Sequence, residues 1–289
     1  MKVKQIIDGI INKFGGVKFE QTCDQLMSGS FDTEVTGVVT TFMATVDVIN
    51  EAIDCGANFI ITHEPTYYTG LDQTEWLKGD PIYEEKKKIL EEHGIAIWRF
   101  HDHMHAAPTD LIYDGLLKEL GWEDYVIKGI QSSHCQEIKK MPFKGLEEVF
   151  KENPHCYEIP EISLKELAEN FKKKLGIDAI QIVGSPNTKC RRVGILVGGV
   201  SLGIGGEEIP MVLMKEQNLD VIVCGDIIEW TLCPYIRDAT SLGMNKAMLV
   251  LGHERSEEPG MKYMAEWLAP MLKDTPVQFV DAKEPFKYL

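Results

Sequence analysis

Short apolar runs alternate with longer segments of helical periodicity along most of this chain. That alternation constrains the fold more than any other feature. Gly37–Thr45, Phe59–Thr62, Ile95–Phe100, Val193–Val197, Val221–Cys224, Ala247–Leu251 and Val277–Val280 read as strands. Val48–Ala57, Pro81–Glu92, Asp110–Leu120, Ile209–Glu216, Ile227–Leu242 and Met261–Leu272 read as helices between or after them. Glycines at 56, 94 and 121 stand where helices should stop. Short strands separated by helices predict βαβ units and a largely parallel sheet. With 289 residues the chain can build one large α/β domain or two intertwined ones.

The two ends of the chain carry this pattern and the middle departs from it. Residues 1–14 open the chain as an amphipathic helix, because Ile6, Ile7, Ile10, Ile11 and Phe14 recur at helical spacing between charges. That pattern is not a signal peptide. Ile127–Pro160 has few periodic apolar residues and many charges, and reads as a connection or small insertion. A capping box, Ser163-Leu164-Lys165-Glu166, then starts a helix to about Leu175. The expected division is an N-terminal α/β half (1–126), a connecting or inserted segment (127–190) and a C-terminal α/β half (191–289), with the two halves forming one compact unit.

Composition excludes several classes. Lysine and arginine total 30 against 45 acidic residues, a formal charge of −15, which repels nucleic acid and anionic membrane. Runs such as Gly194–Val200 and Met248–Leu251 are far too short to span a bilayer. The seven cysteines form no C-x-x-C and read as reduced thiols of a cytoplasmic protein.

Five of the eight histidines follow the ends of three expected strands. His63-Glu64 follows Phe59–Thr62, His101-Asp102-His103-Met104-His105 follows Ile95–Phe100, and His253 follows Met248–Gly252. Sites in parallel α/β sheets form outside the carboxyl ends of strands, where loops converge. Three such loops bearing imidazoles suggest a metal site. On an extended backbone, the period of two places His101, His103 and His105 on one face. If Gly252–Glu258 turns helical, His253 and Glu257 share a side and can share a cation. Imidazole with carboxylate suits zinc, iron, manganese or nickel.

Blander readings fit the other features. His93 stands at a helix C-terminus, where a cationic side chain suits the dipole. His134-Cys135 and His155-Cys156 look like a repeated pair, but their surroundings are charged and irregular. The stretch 198–206 is a glycine-rich turn without the lysine of a P-loop, better explained by unusual backbone angles than by a phosphate cradle. Tyr67, Tyr68 and Trp98 read as packing around the histidine loops.

The motifs resemble those of the NGG-one-interacting-factor-three-like family, many of whose members carry the label GTP cyclohydrolase I type 2 homologue. The matching pieces are Glu51-Ala52-Ile53 through His63-Glu64-Pro65, then His101–Ala107, and above all Gly252-His253-Glu254-Arg255-Ser256-Glu257. Asp220–Asp226, ending Cys-Gly-Asp, looks like the family's D-x-x-x-T-G-E turn. Gly121–Asn187 is largely unmatched. The resemblance implies two intertwined α/β domains with mixed, largely parallel sheets and helices packed outside. It also implies a toroidal homohexamer with a dinuclear metal centre in each subunit.

Carried over residue by residue, the family's metal ligands fall on His63, Glu64, His105, His253 and Glu257, and His101 and His103 can also enter the set. Two positions depart from the family pattern. Glu64 stands where the family has a histidine, and His105 where it has an aspartate. One imidazole and one carboxylate have exchanged places, so the ligand count and the charge of the set are kept. Glu257 or Glu64 then suits a bridge better than an imidazole does.

The function implied is a metal-dependent hydrolase or cyclohydrolase-like enzyme holding two divalent ions and acting on a small molecule. Asp102, Asp226 and any glutamate that does not ligate are candidates for a general base. The alternative is a non-catalytic metal-binding hexameric scaffold or regulator. An amidohydrolase using an H-x-H pair is disfavoured, because the strand count falls short of an eight-fold barrel.

Overall fold

The structure, a computed structural model, describes residues 1–14, 19, 21–129, 155–203 and 206–289. His134 and Cys135 lie outside the described residues. The strands, in chain order, are β1 (Leu26–Ser28), β2 (Val38–Thr41), β3 (Phe59–Thr62), β4 (Ala96–Arg99), β5 (Cys156–Ser163), β6 (Gln181–Val183), β7 (Lys189–Leu196), β8 (Val221–Cys224), β9 (Ala247–Val250) and β10 (Val277–Phe279). The α-helices are α1 (Val3–Phe14), α2 (Val46–Asp54), α3 (Pro81–Glu92), α4 (Asp102–His105), α5 (Leu111–Leu120), α6 (Leu164–Leu175), α7 (Ile209–Glu216), α8 (Leu232–Ser241) and α9 (His253–Leu268). No described helix is long and apolar enough to cross a membrane.

The chain folds as two compact units. One comprises Met1–Gly115 with Gly260–Lys283, the other Leu116–Pro259 with Glu284–Leu289. Each is built on a mixed five-stranded sheet with parallel strands at its centre, as the family resemblance implies.

In the first unit the strand order is β1-β4-β3-β2-β10. β10, β2, β3 and β4 run parallel, and β1 is antiparallel to β4. Every residue of β2, β3 and β4 is buried, which is why these strands show no apolar–polar alternation. α2 and α3 are the crossovers, and each start is fixed by a side chain. The Thr45 hydroxyl accepts from the Val48 amide at 3.2 Å. The Asp80 carboxylate accepts from the Ile82 and Tyr83 amides, with Pro81 in the first turn. Val39, Phe42, Ile49, Ile60, Leu90 and Ile97 pack in the core of this unit.

In the second unit the order is β5-β7-β8-β9-β6. β7, β8 and β9 are parallel, and the two edge strands are antiparallel to their neighbours. α7 connects β7 to β8, and α8 connects β8 to β9. Leu196, Leu213, Ile222, Ile236 and Met248 form its core.

Three strands escape the sequence pattern. β1 and β6 are three residues long and half-exposed. β5 is not expected within Ile127–Pro160, which reads as a connection or small insertion; Cys156–Pro160 belongs to an eight-residue edge strand. Its register slips between Glu158 and Ile162, around Pro160, where an edge tolerates a residue without an amide hydrogen. The capping box is present. The Ser163 hydroxyl accepts from the Glu166 amide, and the Glu166 carboxylate accepts from the Ser163 amide. α9 starts at His253, well before Met261, and Pro259 inside it masks its continuity in the sequence.

Candidate functional site

In the first unit, the ends of β3 and β4 deliver the histidines. The His63 amide donates to the carbonyls of Thr41 and Phe42, which fixes the chain as it leaves β3. The His63 ring is fully buried, with Nδ1 3.2 Å from the Phe100 carbonyl oxygen. A carbonyl only accepts, so Nδ1 carries the hydrogen and Nε2 keeps a lone pair.

The segment from His101 to His105 is not extended. It forms the single helical turn α4, and this corrects the expectation that all three histidines share a face. At about 100° per residue, positions 101 and 105 point together and 103 points away. The His63, His101 and His105 rings lie 4.6, 5.0 and 4.9 Å apart, centroid to centroid. One ligand nitrogen from each falls within 4.8 Å of the other two. His103 instead bonds Asp24 through Nδ1 at 2.7 Å and packs edge-on against Phe19.

Each ring of the triplet has its Nδ1 anchored. His101 Nδ1 lies 3.0 Å from Asp102, and His105 Nδ1 lies 2.9 Å from Asp110. A carboxylate or carbonyl on one ring nitrogen leaves the other basic and correctly aimed, the usual outer support of a metal-binding histidine. Asp110 also caps α5, accepting from the Ile112 and Tyr113 amides.

The turn itself is held from far away in sequence. The buried Asp24 carboxylate accepts from the amides of His101, Asp102 and His103 at 2.7, 2.8 and 3.0 Å. Burial opposes its ionisation, but the His103 ring and these backbone donors outweigh burial and hold its carboxyl below the usual range. Asp102 accepts from Thr22, the Cys23 amide, the Cys23 thiol and His101. Despite burial, these partners hold its carboxyl well below the usual range, so it is a poor proton acceptor at neutral pH. Burial pushes the Cys23 thiol up, away from thiolate.

Glu64 Oε2 is 3.1 Å from the Arg99 guanidinium, and its Oε1 is 3.8 Å from His101 Nε2. Arg99, only 4% exposed, also donates to the carbonyls of His63 and Gly70.

In the second unit, the carboxyl ends of β7, β8 and β9 form another polar group. Gly252, at φ 90°, turns the chain from β9 into α9, and His253 is the first residue of that helix. The expected helical spacing therefore holds for His253 and Glu257. His253 Nε2 lies 3.2 Å from Glu257, and its Nδ1 lies 2.8 Å from Asp226 after β8. Asp226 thus orients the ring. The glycine turn after β7 closes over this pair. Gly198 sits at φ 47°, and a Cβ there would collide with the Glu257 carboxylate and stand 2.7 Å from His253 Nε2. Its amide donates to the Ser256 hydroxyl at 2.9 Å, and that hydroxyl donates to the His253 carbonyl. The glycine is needed for backbone angle and close approach, as the blander reading holds.

The residues fit metal ions: three supported imidazoles in one unit, and an oriented imidazole with a buried carboxylate in the other. Asp24, Asp110 and Arg99 hold the candidate site residues in place and are the contacts that sequence reasoning missed. Asp110 had a signal, standing immediately before a helix that follows the histidine run. Asp24 had none.

Comparison with known proteins agrees with this architecture. Residues 1–285 match the family model described as Duf34/NIF3 (NGG1p interacting factor 3). A Clostridium perfringens protein named GTP cyclohydrolase 1 type 2 homolog is 25% identical over 294 aligned positions, covering 100% of both chains. A crystal structure of a hypothetical protein of Staphylococcus aureus is 24% identical, covers 100% of this chain and 99% of its own, and superposes with a TM-score of 0.70. A Bacillus cereus protein related to NIF3 has a similar structure, with 16% identity, the same coverage and a TM-score of 0.69. At these identities the structural likeness speaks for the fold.

Proposed function

The chain belongs to the Duf34/NIF3 family, and on that premise we propose that it is a metal-dependent hydrolase or cyclohydrolase-like enzyme acting on a small molecule. Its ligands are His63, Glu64, His101 and His105 in one unit and His253 with Glu257 in the other, and two divalent ions are bound per chain. The observation that carries this reading is the triplet of imidazoles whose Nδ1 atoms are all engaged by an oxygen. Zinc, iron, manganese and nickel suit such a set.

When bound, divalent ions supply an activated water and a Lewis acid. The chain's own residues aim and insulate. Phe100, Asp102 and Asp110 fix the tautomers of the first three histidines, and Asp226 fixes His253. Asp102 and Asp226 therefore orient imidazoles and are occupied in that role. His103 serves α4 rather than the ion.

Metal analysis of purified variants tests the assignment. His63→Ala, His105→Ala and a His253→Ala/Glu257→Ala double variant each lose metal while staying folded by circular dichroism. His103→Ala keeps its metal. Full metal content in the first three would refute the ligand set.

A further inference from the structure

Glu64 is the position where this chain puts a carboxylate beside a histidine at the end of β3, and a buried cation answers it. Arg99, the last residue of β4, donates Nε–H to the His63 carbonyl at 3.1 Å, Nη1–H to the Gly70 carbonyl at 2.6 Å and Nη2–H to Glu64 Oε2 at 3.1 Å. A second carboxylate, that of Asp72, lies 3.9 Å from Nη1. The planar fork of the guanidinium fixes direction as well as charge. The two oxygens of Glu64 are thus divided: Oε2 rests on Arg99, while Oε1 lies 3.8 Å from His101 Nε2, on the side of the imidazoles.

We propose that Arg99 is a positioning residue that presents Glu64 to a metal ion by one oxygen only, and so sets which cation the histidine group prefers. This rests on the metal-binding reading above. Hard cations gain from carboxylates that offer both oxygens, whereas imidazole-rich sets suit zinc, iron and nickel. A charge-assisted hydrogen bond on Oε2 removes that oxygen and part of the carboxylate's charge from the ion. The group then acts as three imidazoles with one attenuated carboxylate, and manganese is disfavoured relative to zinc.

Competition titrations of the full chain with Zn²⁺ and Mn²⁺, against a chromophoric chelator, measure the ratio of the two affinities. In Arg99→Gln, the charge-assisted hydrogen bond on Glu64 Oε2 is lost and the ratio moves toward Mn²⁺ by about tenfold, the size expected for residues that share a site. Adding Arg99→Gln to a Glu64→Gln background leaves the ratio where Glu64→Gln put it. A purely structural Arg99 would weaken both metals in proportion, and that result overturns the inference. So does an equal shift in the Glu64→Gln background, because Arg99 would then not act through Glu64. If Arg99→Gln does not fold, Arg99→Lys keeps the charge without the fork and shifts the ratio the same way by a smaller factor; an unchanged ratio overturns the inference there too. A native chain that takes up neither metal overturns the metal-binding reading itself, and this inference falls with it.

Discussion

At the residue scale, the first unit carries a second buried cation. Lys86 on α3 is 4% exposed, donates to the Thr66 carbonyl at 2.6 Å and lies over the rings of Tyr67 and Tyr68. Burial pushes its ammonium down from 10.5 to about 8. Below about pH 8 it is charged in both the folded and the unfolded chain, and its cost is constant. From there to about pH 10.5 the folded chain sheds the proton while the unfolded chain still holds it, so stability rises with pH. At about 1.36 kcal/mol per unit, the native protein gains up to about 3 kcal/mol over this interval relative to Lys86→Met. Urea unfolding of both proteins between pH 7 and 10.5 checks this, and parallel curves would refute it. The same scale shows what the sequence holds and hides. Clustering makes His63, His101, His105, His253 and Glu257 legible. The separation of His103 from its neighbours depends on a backbone turn imposed by Asp24, which is 77 residues before His101. Arg99 hides at the end of an apolar run.

At the element scale, the features best read from sequence are those fixed locally. β3, α3, α7 and β8 fall on their expected bounds, because caps, glycine stops and unbroken apolar runs are all near in sequence. β5 and β6 are charged or short edge strands whose partners lie elsewhere in the chain, and α9 is disguised by its internal proline. The turn at Gly198–Leu202 provides a test of close approach. Gly198→Ala must change a φ of 47° and displace Glu257, and costs at least about 2 kcal/mol. Gly199→Ala has nothing within 4 Å of its new methyl and costs less than about 1 kcal/mol. Denaturant midpoints of the two variants against the native chain give the comparison, and equal losses would contradict the packing described.

At the scale of the whole molecule, the family resemblance predicts a ring of six copies. Static light scattering across a range of concentrations then reports roughly six times 32.6 kDa, in keeping with the preference for closed symmetry. A monomer at every concentration would refute the ring. β2 pairs on one side with β3, its neighbour along the chain, and on the other with β10, which is synthesised long after it. At roughly 5–20 residues per second, the ribosome takes about 10–30 s to pass from residue 115 to residue 279. Through that time the nascent first sheet carries the open edge of β2, and a chaperone or a neighbouring nascent chain can reach it before β10 arrives.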